Sequence, residues 1–283
     1  MALGLNEIQR IRRIFEAKGW PINEGEIPEQ KDLFNNFCNL IDRLGDEEKE
    51  LILLISNDFI KIDVVAYLLH LNRAFFSIPA ELYKDRTHIF CVPAMPPKQI
   101  GRIKSPSIIP YQFQHLILRQ QEETKNKKIV SYDSLEYLTK NHAKRSNSIL
   151  FLMDDFVGTG ETLLQTLEHY NDNHKVPDEI VLVVCIACLS IGIKALHEFG
   201  YGLFFSIMQK RGISDSIRVK NKLLALSTMD KMERRLMITP LEKHGYMNSE
   251  GLISLIRTPD NTFPVFWCPT TRSHEKWPAP FPR

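Results

Sequence analysis

Apolar residues recur at helical spacing through the first 85 residues. Positions three and four apart lie on one face of a helix, so this pattern predicts helices over Asn6–Ala17, Phe34–Leu44, Glu47–Ser56 and Val64–Phe75. Asp46 is expected to cap the third, and a Pro/Gly/Glu stretch from Trp20 to Pro28 ends the first. None of these segments carries recognisable chemistry, so they are expected to form a helical layer that packs on a core or a partner.

After Thr87 the pattern changes to short apolar runs that alternate with helical segments. The predicted strands are Ile89–Pro93, Lys128–Tyr132, Ser148–Met153, Glu179–Ala187 and Leu203–Met208. The predicted helices between them are Tyr111–Arg119, Asp133–Lys140, Glu161–Tyr170 and Ile193–Phe199. Such alternation is typical of a parallel sheet covered by helices on both faces, which is an α/β fold.

The predicted organisation has three parts: a helical N-terminal region over 1–85, an α/β core over 86–210, and a C-terminal region over 211–283. The last part combines a helix around Val219–Ala225 with strand-like runs at Leu252–Ile256 and Phe263–Trp267. Its turn at Asp260-Asn261 and its prolines suit either a structural clamp or a hood over a binding site.

Composition excludes the more specialised classes of protein. The chain has 283 residues, 43% hydrophobic and 25% charged, which is ordinary for a soluble protein. A net charge of +2 is too small to indicate nucleic-acid or membrane binding by itself. Five cysteines without a secretory signal predict a reducing, cytoplasmic location. Cys185 and Cys188 are expected to be buried thiols, because residues three apart on a strand face opposite sides.

The segment from Ile149 to Thr162 carries the most specific chemistry. Five apolar residues end in Asp154 and Asp155, at the carboxyl end of a predicted central strand, where ligands bind in open α/β sheets. Two carboxylates can accept hydrogen bonds from a cis-diol, and a Gly-rich loop before a helix N-terminus favours an anion. The segment predicts a ribose 5-phosphate site, and the alternative is a generic turn with two capping aspartates.

Leu150–Thr162 resembles the signature of the type I phosphoribosyltransferases, which are α/β proteins with a central parallel sheet. The resemblance implies that Asp154 and Asp155 hold the ribose of phosphoribosyl pyrophosphate. Mg²⁺ would neutralise the leaving pyrophosphate, with no metal-ligating residue assigned in the chain. Phe156 and Gly158 depart from the usual pattern. The implied 5-phosphate loop consists of Val157, Gly158, Thr159, Gly160, Glu161 and Thr162.

In that family a loop after an earlier strand holds pyrophosphate, and a flexible loop closes over the site. By the same resemblance, Pro93 and Ala94 in the segment Pro93–Lys98 are the candidates for the pyrophosphate loop. Arg102 and Lys104 are the candidate phosphate partners in Gly101–Pro110. The alternative is that both segments are ordinary surface loops.

Two C-terminal strings, Gly245–Ser249 and Pro259–Trp267, are similar to a divergent phosphoribosyltransferase-like family. That family occurs in bacterial conflict and antiviral gene clusters, some built around a retron reverse transcriptase. Trp20–Phe37 fits the same family.

The function expected from the sequence is therefore binding of phosphoribosyl pyrophosphate, with phosphoribosyl transfer to a base or nucleotide in antiviral defence. The alternative is a non-catalytic nucleotide-sensing or effector subunit that docks a protein or nucleic-acid partner through its N-terminal helices. No membrane partner is expected. The acceptor and any homo-oligomer are left open.

Overall fold

The computed structural model describes residues 3–23, 32–102, 104–142, 145–281 and 283. The chain forms two compact units, one from Val64–Gln209 and the other from Met1–Asp63 with Lys210–Arg283. The sequence predicts boundaries after residues 85 and 210, and the two units divide after Asp63 and after Gln209. Most of the stretch predicted between Trp20 and Pro28 lies outside the described residues.

Helices and strands alternate through the middle of the chain, much as the apolar pattern predicts. The α-helices are α1 (Leu5–Lys18), α2 (Leu33–Asp42), α3 (Asp46–Ser56), α4 (Tyr67–Phe76), α5 (Ile109–Gln112), α6 (Leu135–Asn141), α7 (Glu161–Asn173), α8 (Ser190–Glu198) and α9 (Lys222–Glu233). The β-strands are β1 (Ile60–Lys61), β2 (His88–Pro93), β3 (Lys128–Ser131), β4 (Ser148–Val157), β5 (Ile180–Leu189), β6 (Leu203–Gln209) and β7 (Ile253–Ser254).

The unit Val64–Gln209 is built on a five-stranded sheet with the order β3-β2-β4-β5-β6. Every neighbouring pair is parallel. Residues 148–155 of β4 are buried without alternation, as expected for a central strand covered on both faces. Helices α6 and α7 pack in the apolar cluster on one face, and α4 contacts β5 and β6. The predicted α/β fold with a central parallel sheet is therefore confirmed.

The other unit is held together by aromatic side chains. Phe15, Phe37, Phe59 and Phe266 have no exposed surface. The Phe59 and Phe281 rings stack with centroids 4.2 Å apart. Such pairs add roughly 0.5–1.5 kcal/mol beyond the area they bury. The helices α1, α2, α3 and α9 contribute to this core.

Two local predictions are wrong in this unit, and a third is confirmed only in part. Gly45, not Asp46, is the N-cap of α3, and its N–H donates to the Glu48 carboxylate across 3.1 Å. Phe263–Trp267 is not strand-like, because Pro264 has no N–H to donate and opens a 3₁₀ turn over Pro264–Phe266. Only Ile253 and Ser254 of Leu252–Ile256 form a strand, by pairing with Ile60 and Lys61.

Among the residues described, no helix combines the length and apolar character needed to cross a membrane.

Candidate functional site

Strand β4 carries both aspartates and ends at Val157, four residues beyond the predicted end at Met153. Pairing with β5 extends the strand, since Asp154 lies opposite Cys185 and Val157 opposite Cys188. The sequence missed this extension because polar residues usually mark a strand's end. Asp154 is 7% exposed and Asp155 is 5% exposed. Two carboxylates are thus buried at the carboxyl end of the central strand.

Two side chains hold Asp155 in place. The Tyr67 hydroxyl at the start of α4 donates to Asp155 Oδ2 across 3.2 Å. Ser105 Oγ donates to Asp155 Oδ1 across 2.9 Å. Sequence reasoning missed both residues. The only signal for Tyr67 was a polar hydroxyl in an apolar helix, since a buried tyrosine needs a hydrogen-bond partner.

Asp154 is held by the backbone. Its Oδ1 accepts from the N–H of Asp155 across 2.8 Å and from the N–H of Phe156 across 3.5 Å. Burial raises the pKa of Asp154 well above its ordinary value, and the adjacent Asp155 carboxyl raises that pKa further. Two carboxyl groups buried side by side favour a bound group that brings hydrogen-bond donors or positive charge.

The loop after β4 leads directly into α7. Gly160 is the N-cap of α7 with φ of +87°, a conformation that favours glycine. Gly160 has no side chain with which to cap this helix, and the Glu161 N–H donates a long hydrogen bond to Thr159 Oγ1 across 3.5 Å. The positive end of the helix therefore lies against the loop. Thr159 is half-buried and Thr162 is exposed, so both hydroxyls lie where a ligand reaches them.

Gly192 in α8 allows the loop to pack closely. A Cβ at this position would lie 2.5 Å from the Gly158 carbonyl oxygen and 3.0 Å from Val157 Cγ1. Any side chain at Gly192 would therefore displace the loop or the helix. Sequence reasoning missed this residue, although a glycine inside a helical pattern often marks a close approach.

Pro93 and Ala94 lie at the end of β2, beside β4 in the sheet. Pro93 pairs with Met153, and the Ala94 N–H donates to the Met153 carbonyl across 2.7 Å. Proline has no N–H, so neither residue has a free backbone donor for pyrophosphate. The structure thus brings these residues next to the aspartate strand but commits their backbone to the sheet.

Arg102 and Lys104 are exposed, and Ile103 between them lies outside the described residues. Lys104 Nζ donates to Gln99 Oε1 across 2.8 Å. Lys104 directly precedes Ser105, whose hydroxyl contacts Asp155. The predicted flexible loop therefore has one residue fixed to the carboxylate pair. Much of the rest is helical, as a 3₁₀ turn over Ser105–Ile108 that continues into α5.

Cys185 and Cys188 are fully buried free thiols in β5, which agrees with the prediction for them.

The comparison with known proteins defines the class: the chain is phosphoribosyltransferase-like. Residues 103–283 match the model of the PRTase-CE family. This range is more than half of the chain, and the chain belongs to the PRTase-CE family. The match includes β4, the loop before α7 and the C-terminal strings. No curated protein matches the chain.

Two solved structures are similar to parts of the chain. Xanthine-guanine-hypoxanthine phosphoribosyltransferase of Helicobacter pylori has 11% identity and a TM-score of 0.29, and the match covers 53% of this chain and 84% of that one. Orotate phosphoribosyltransferase of Mycobacterium tuberculosis H37Rv, in complex with inorganic phosphate, has 11% identity and a TM-score of 0.30. That match covers 72% of this chain and 96% of the other. The family assignment rests on the family model alone.

Proposed function

We propose that the carboxyl end of β4 and the loop before α7 bind phosphoribosyl pyrophosphate. The observation that carries the proposal is the buried pair Asp154 and Asp155, followed at once by the Gly158–Gly160 loop and the start of α7. The pair suits a vicinal diol, and the loop suits a phosphate a few residues away. A phosphorylated ribose presents both groups.

The ribose hydroxyls would donate to the two carboxylates. Tyr67 and Ser105 each use one acceptor position on Asp155. A carboxylate oxygen has two lone pairs, so Asp155 keeps capacity for the ribose. The two protein donors fix the orientation of the carboxylate before the ligand arrives, which reduces the entropy lost on binding.

The 5-phosphate would lie in the loop 157–162. Gly160 gives the turn its left-handed conformation, and Gly192 lets α8 support the loop from behind. The first turn of α7 supplies partial positive charge, and the hydroxyls of Thr159 and Thr162 supply donors.

The site can accept Mg²⁺ that is held mainly by oxygen atoms of the substrate. Phosphate and hydroxyl oxygens are the ligands that Mg²⁺ prefers, and it usually keeps few protein ligands. Asp154 and Asp155 are assigned to the ribose, so the ion would be held by the ribose and pyrophosphate oxygens beside them. The negative carboxylate pair would attract its charge. When bound, Mg²⁺ supplies positive charge that stabilises the leaving pyrophosphate.

The proposed reaction is displacement at C1 of the ribose. The C1–O bond to pyrophosphate breaks with its electron pair on pyrophosphate. A lone pair on a base or nucleotide acceptor forms the new bond to C1, and the acceptor's proton passes to solvent. Asp154 and Asp155 favour the positive charge that develops on the ring. The resemblance of the C-terminal strings supports a setting in bacterial antiviral defence.

A second candidate is a non-catalytic nucleotide-sensing subunit. It is favoured by Pro93 and Ala94, which have no backbone N–H to offer to the leaving pyrophosphate. Such a protein would keep the ribose and 5-phosphate contacts and dock a protein or nucleic-acid partner through α1, α2 and α3.

Binding and turnover separate the two candidates. Calorimetry with phosphoribosyl pyrophosphate and Mg²⁺ measures binding, and release of pyrophosphate with nucleobases and nucleotides present measures turnover. We expect Asp154→Asn and Asp155→Asn to abolish binding, while Asp85→Asn, at an exposed position of the same unit, retains it. Binding without release supports the sensor. Unchanged binding in both site variants would overturn the site itself.

A further inference from the structure

Two histidines and a glutamate converge outside the residues assigned to the ribose site. Glu136 lies in α6, His169 in α7, and His174 directly after α7. His169 Nε2 lies 2.8 Å from Glu136 Oε1. His174 Nε2 lies 3.1 Å from His169 Nε2 and 3.7 Å from Glu136 Oε1. Three potential ligand atoms thus face one another across a small space.

The two ring nitrogens are too close for both to carry a hydrogen. At 3.1 Å only one hydrogen fits between them, so at least one lone pair points into the cluster. The opposite nitrogen of each ring has its own partner. His174 Nδ1 lies 2.8 Å from Thr139 Oγ1, and His169 Nδ1 lies 3.1 Å from the Asn173 side-chain amide. The Asn173 amide nitrogen also donates to the His169 carbonyl across 3.2 Å, so its hydrogens face His169 and His169 Nδ1 accepts. His169 then holds its hydrogen on Nε2, toward Glu136, and a bound metal ion would displace that hydrogen. His174 can hold its hydrogen on Nδ1 and direct the Nε2 lone pair inward.

The distances between the three ligand atoms match the distances between ligands around a tetrahedral metal ion. Ligands about 2.0–2.1 Å from Zn²⁺ at tetrahedral angles lie about 3.3 Å from one another. The three observed separations, 2.8, 3.1 and 3.7 Å, surround that value. Two imidazoles and one carboxylate are a ligand set that zinc uses where a fourth position stays open to water or substrate.

Neighbouring side chains hold the three residues in place, in the same way that outer-shell contacts hold the ligands of a metal ion. The Arg145 guanidinium donates to the His174 carbonyl across 2.5 Å and to Thr139 Oγ1 across 3.4 Å. Its charge is balanced by Glu179, so it does not repel a cation as an unpaired arginine would. Partners of this kind orient imidazole ligands.

We propose that Glu136, His169 and His174 bind a divalent transition-metal ion, Zn²⁺ foremost, with a coordination position left open.

A second convergent group in the other unit, Asp230, Glu233 and His244, is less suitable. Lys243 Nζ lies 2.8 Å from Asp230 Oδ1 and already supplies positive charge there. A metal ion would have to displace that ammonium group.

The test uses the full chain, freed of metal with a chelator and titrated with Zn²⁺ alone. We expect tight binding equimolar with the chain, and visible d–d absorption bands of tetrahedral type when Co²⁺ replaces Zn²⁺. His169→Gln and Glu136→Gln should each weaken Zn²⁺ binding by at least about tenfold, the smallest loss seen even for outer-shell contacts. His197→Gln, at an exposed histidine of the same unit, should bind Zn²⁺ as the unaltered chain does.

The proposal is wrong if Zn²⁺ binding is not saturable, or if His169→Gln and His197→Gln bind Zn²⁺ with equal affinity. The three side chains would then form a hydrogen-bond network only. The His169 side chain is 19% exposed, against 8% for His174, so His169→Gln is the variant that disturbs packing less. Circular dichroism of each variant confirms the fold. The measurement uses no phosphoribosyl compound, so its result is independent of the proposed function.

Discussion

The hydroxyl of Tyr67 donates to Oδ2 of Asp155 across 3.2 Å, although 88 residues separate the two in sequence. Both side chains are buried, and the bond joins the start of α4 to the end of the central strand. A hydrogen bond to a buried carboxylate is worth about 1.5–3 kcal/mol, more than one between neutral groups. Tyr67 therefore positions the carboxylate that we assign to the ribose.

Replacing Tyr67 with phenylalanine tests this role. Tyr67→Phe keeps the ring and removes only the hydroxyl, so the fold should persist while Asp155 loses one restraint. We expect affinity for phosphoribosyl pyrophosphate with Mg²⁺ to fall by about tenfold, corresponding to the lower part of that energy range. Calorimetric titration measures the change. Tyr137→Phe, at a tyrosine that is 53% exposed, is the matched control. Equal affinity in both variants would remove Tyr67 from the site.

The raised pKa of Asp154 predicts how the stability of the fold depends on pH. Because burial and Asp155 raise this pKa above 3.8, the folded chain binds the proton more tightly than the unfolded chain does. The stability contributed by the protonated form is complete below the unfolded pKa and is lost as the pH rises through the folded pKa. Asp154→Asn removes this titration, so its Tm should exceed that of the unaltered chain by an amount that grows with pH.

The same variant should lose ligand binding, since an amide cannot replace a carboxylate beside a diol and a cation. The variant would then be more stable than the unaltered chain but unable to bind the ligand. This is expected where a binding site contains a charge that destabilises the fold. Scanning calorimetry between pH 4 and pH 8 provides the test. Proteins are most stable within about this pH range. Asp85→Asn should follow the unaltered chain throughout. A constant Tm difference across the range would contradict the electrostatic explanation.

Close packing of α8 on the phosphate loop leads to another prediction. Alanine normally stabilises a helix relative to glycine by about 1 kcal/mol. At Gly192 the new Cβ would lie 2.5 Å from the Gly158 carbonyl oxygen, so the loop must move. We expect Gly192→Ala to weaken phosphoribosyl pyrophosphate binding by about tenfold or more, since a misplacement of about 1 Å can cost a hundredfold.

Gly202→Ala is the control, because its Cβ would lie 3.4 Å from a movable Phe204 ring carbon. Both variants are compared by titration calorimetry. If Gly192→Ala binds as tightly as Gly202→Ala, the loop tolerates the displacement and its close packing has no part in binding.

Local pattern and long-range contact explain what the sequence could and could not predict. Strand β4 and helix α7 follow from an apolar run and a 3.6-residue period, so their existence was predicted well. Tyr67, Ser105 and Gly192 were missed because their roles depend on contacts across the fold, which no local spacing records. The prediction at Phe263–Trp267 failed for the opposite reason: apolar residues favour a strand, but Pro264 removes the donor that a strand needs.

The buried ion pair of Arg145 and Glu179 supports the last prediction. Arg145 Nε lies 2.7 Å from Glu179 Oε1, and both side chains are 0% exposed. Ser148 and Tyr170 also donate to this carboxylate, across 2.9 and 2.7 Å. Removing one partner of a buried pair costs about 3–5 kcal/mol, because the other charge stays buried without compensation. Glu179→Gln should therefore lower Tm by roughly 10 °C.

Glu122→Gln is the control, since its side chain is 81% exposed and its pair with Lys125 lies at the surface. An exposed pair contributes about 0–1 kcal/mol, so the shift in Tm should stay within about 2 °C. The double variant Arg145→Met with Glu179→Leu removes both charges and should recover part of the lost Tm. It should weaken Zn²⁺ binding, because Arg145 also holds the His174 carbonyl. Equal Tm values for Glu179→Gln and Glu122→Gln would show that the buried pair contributes no more than a surface one.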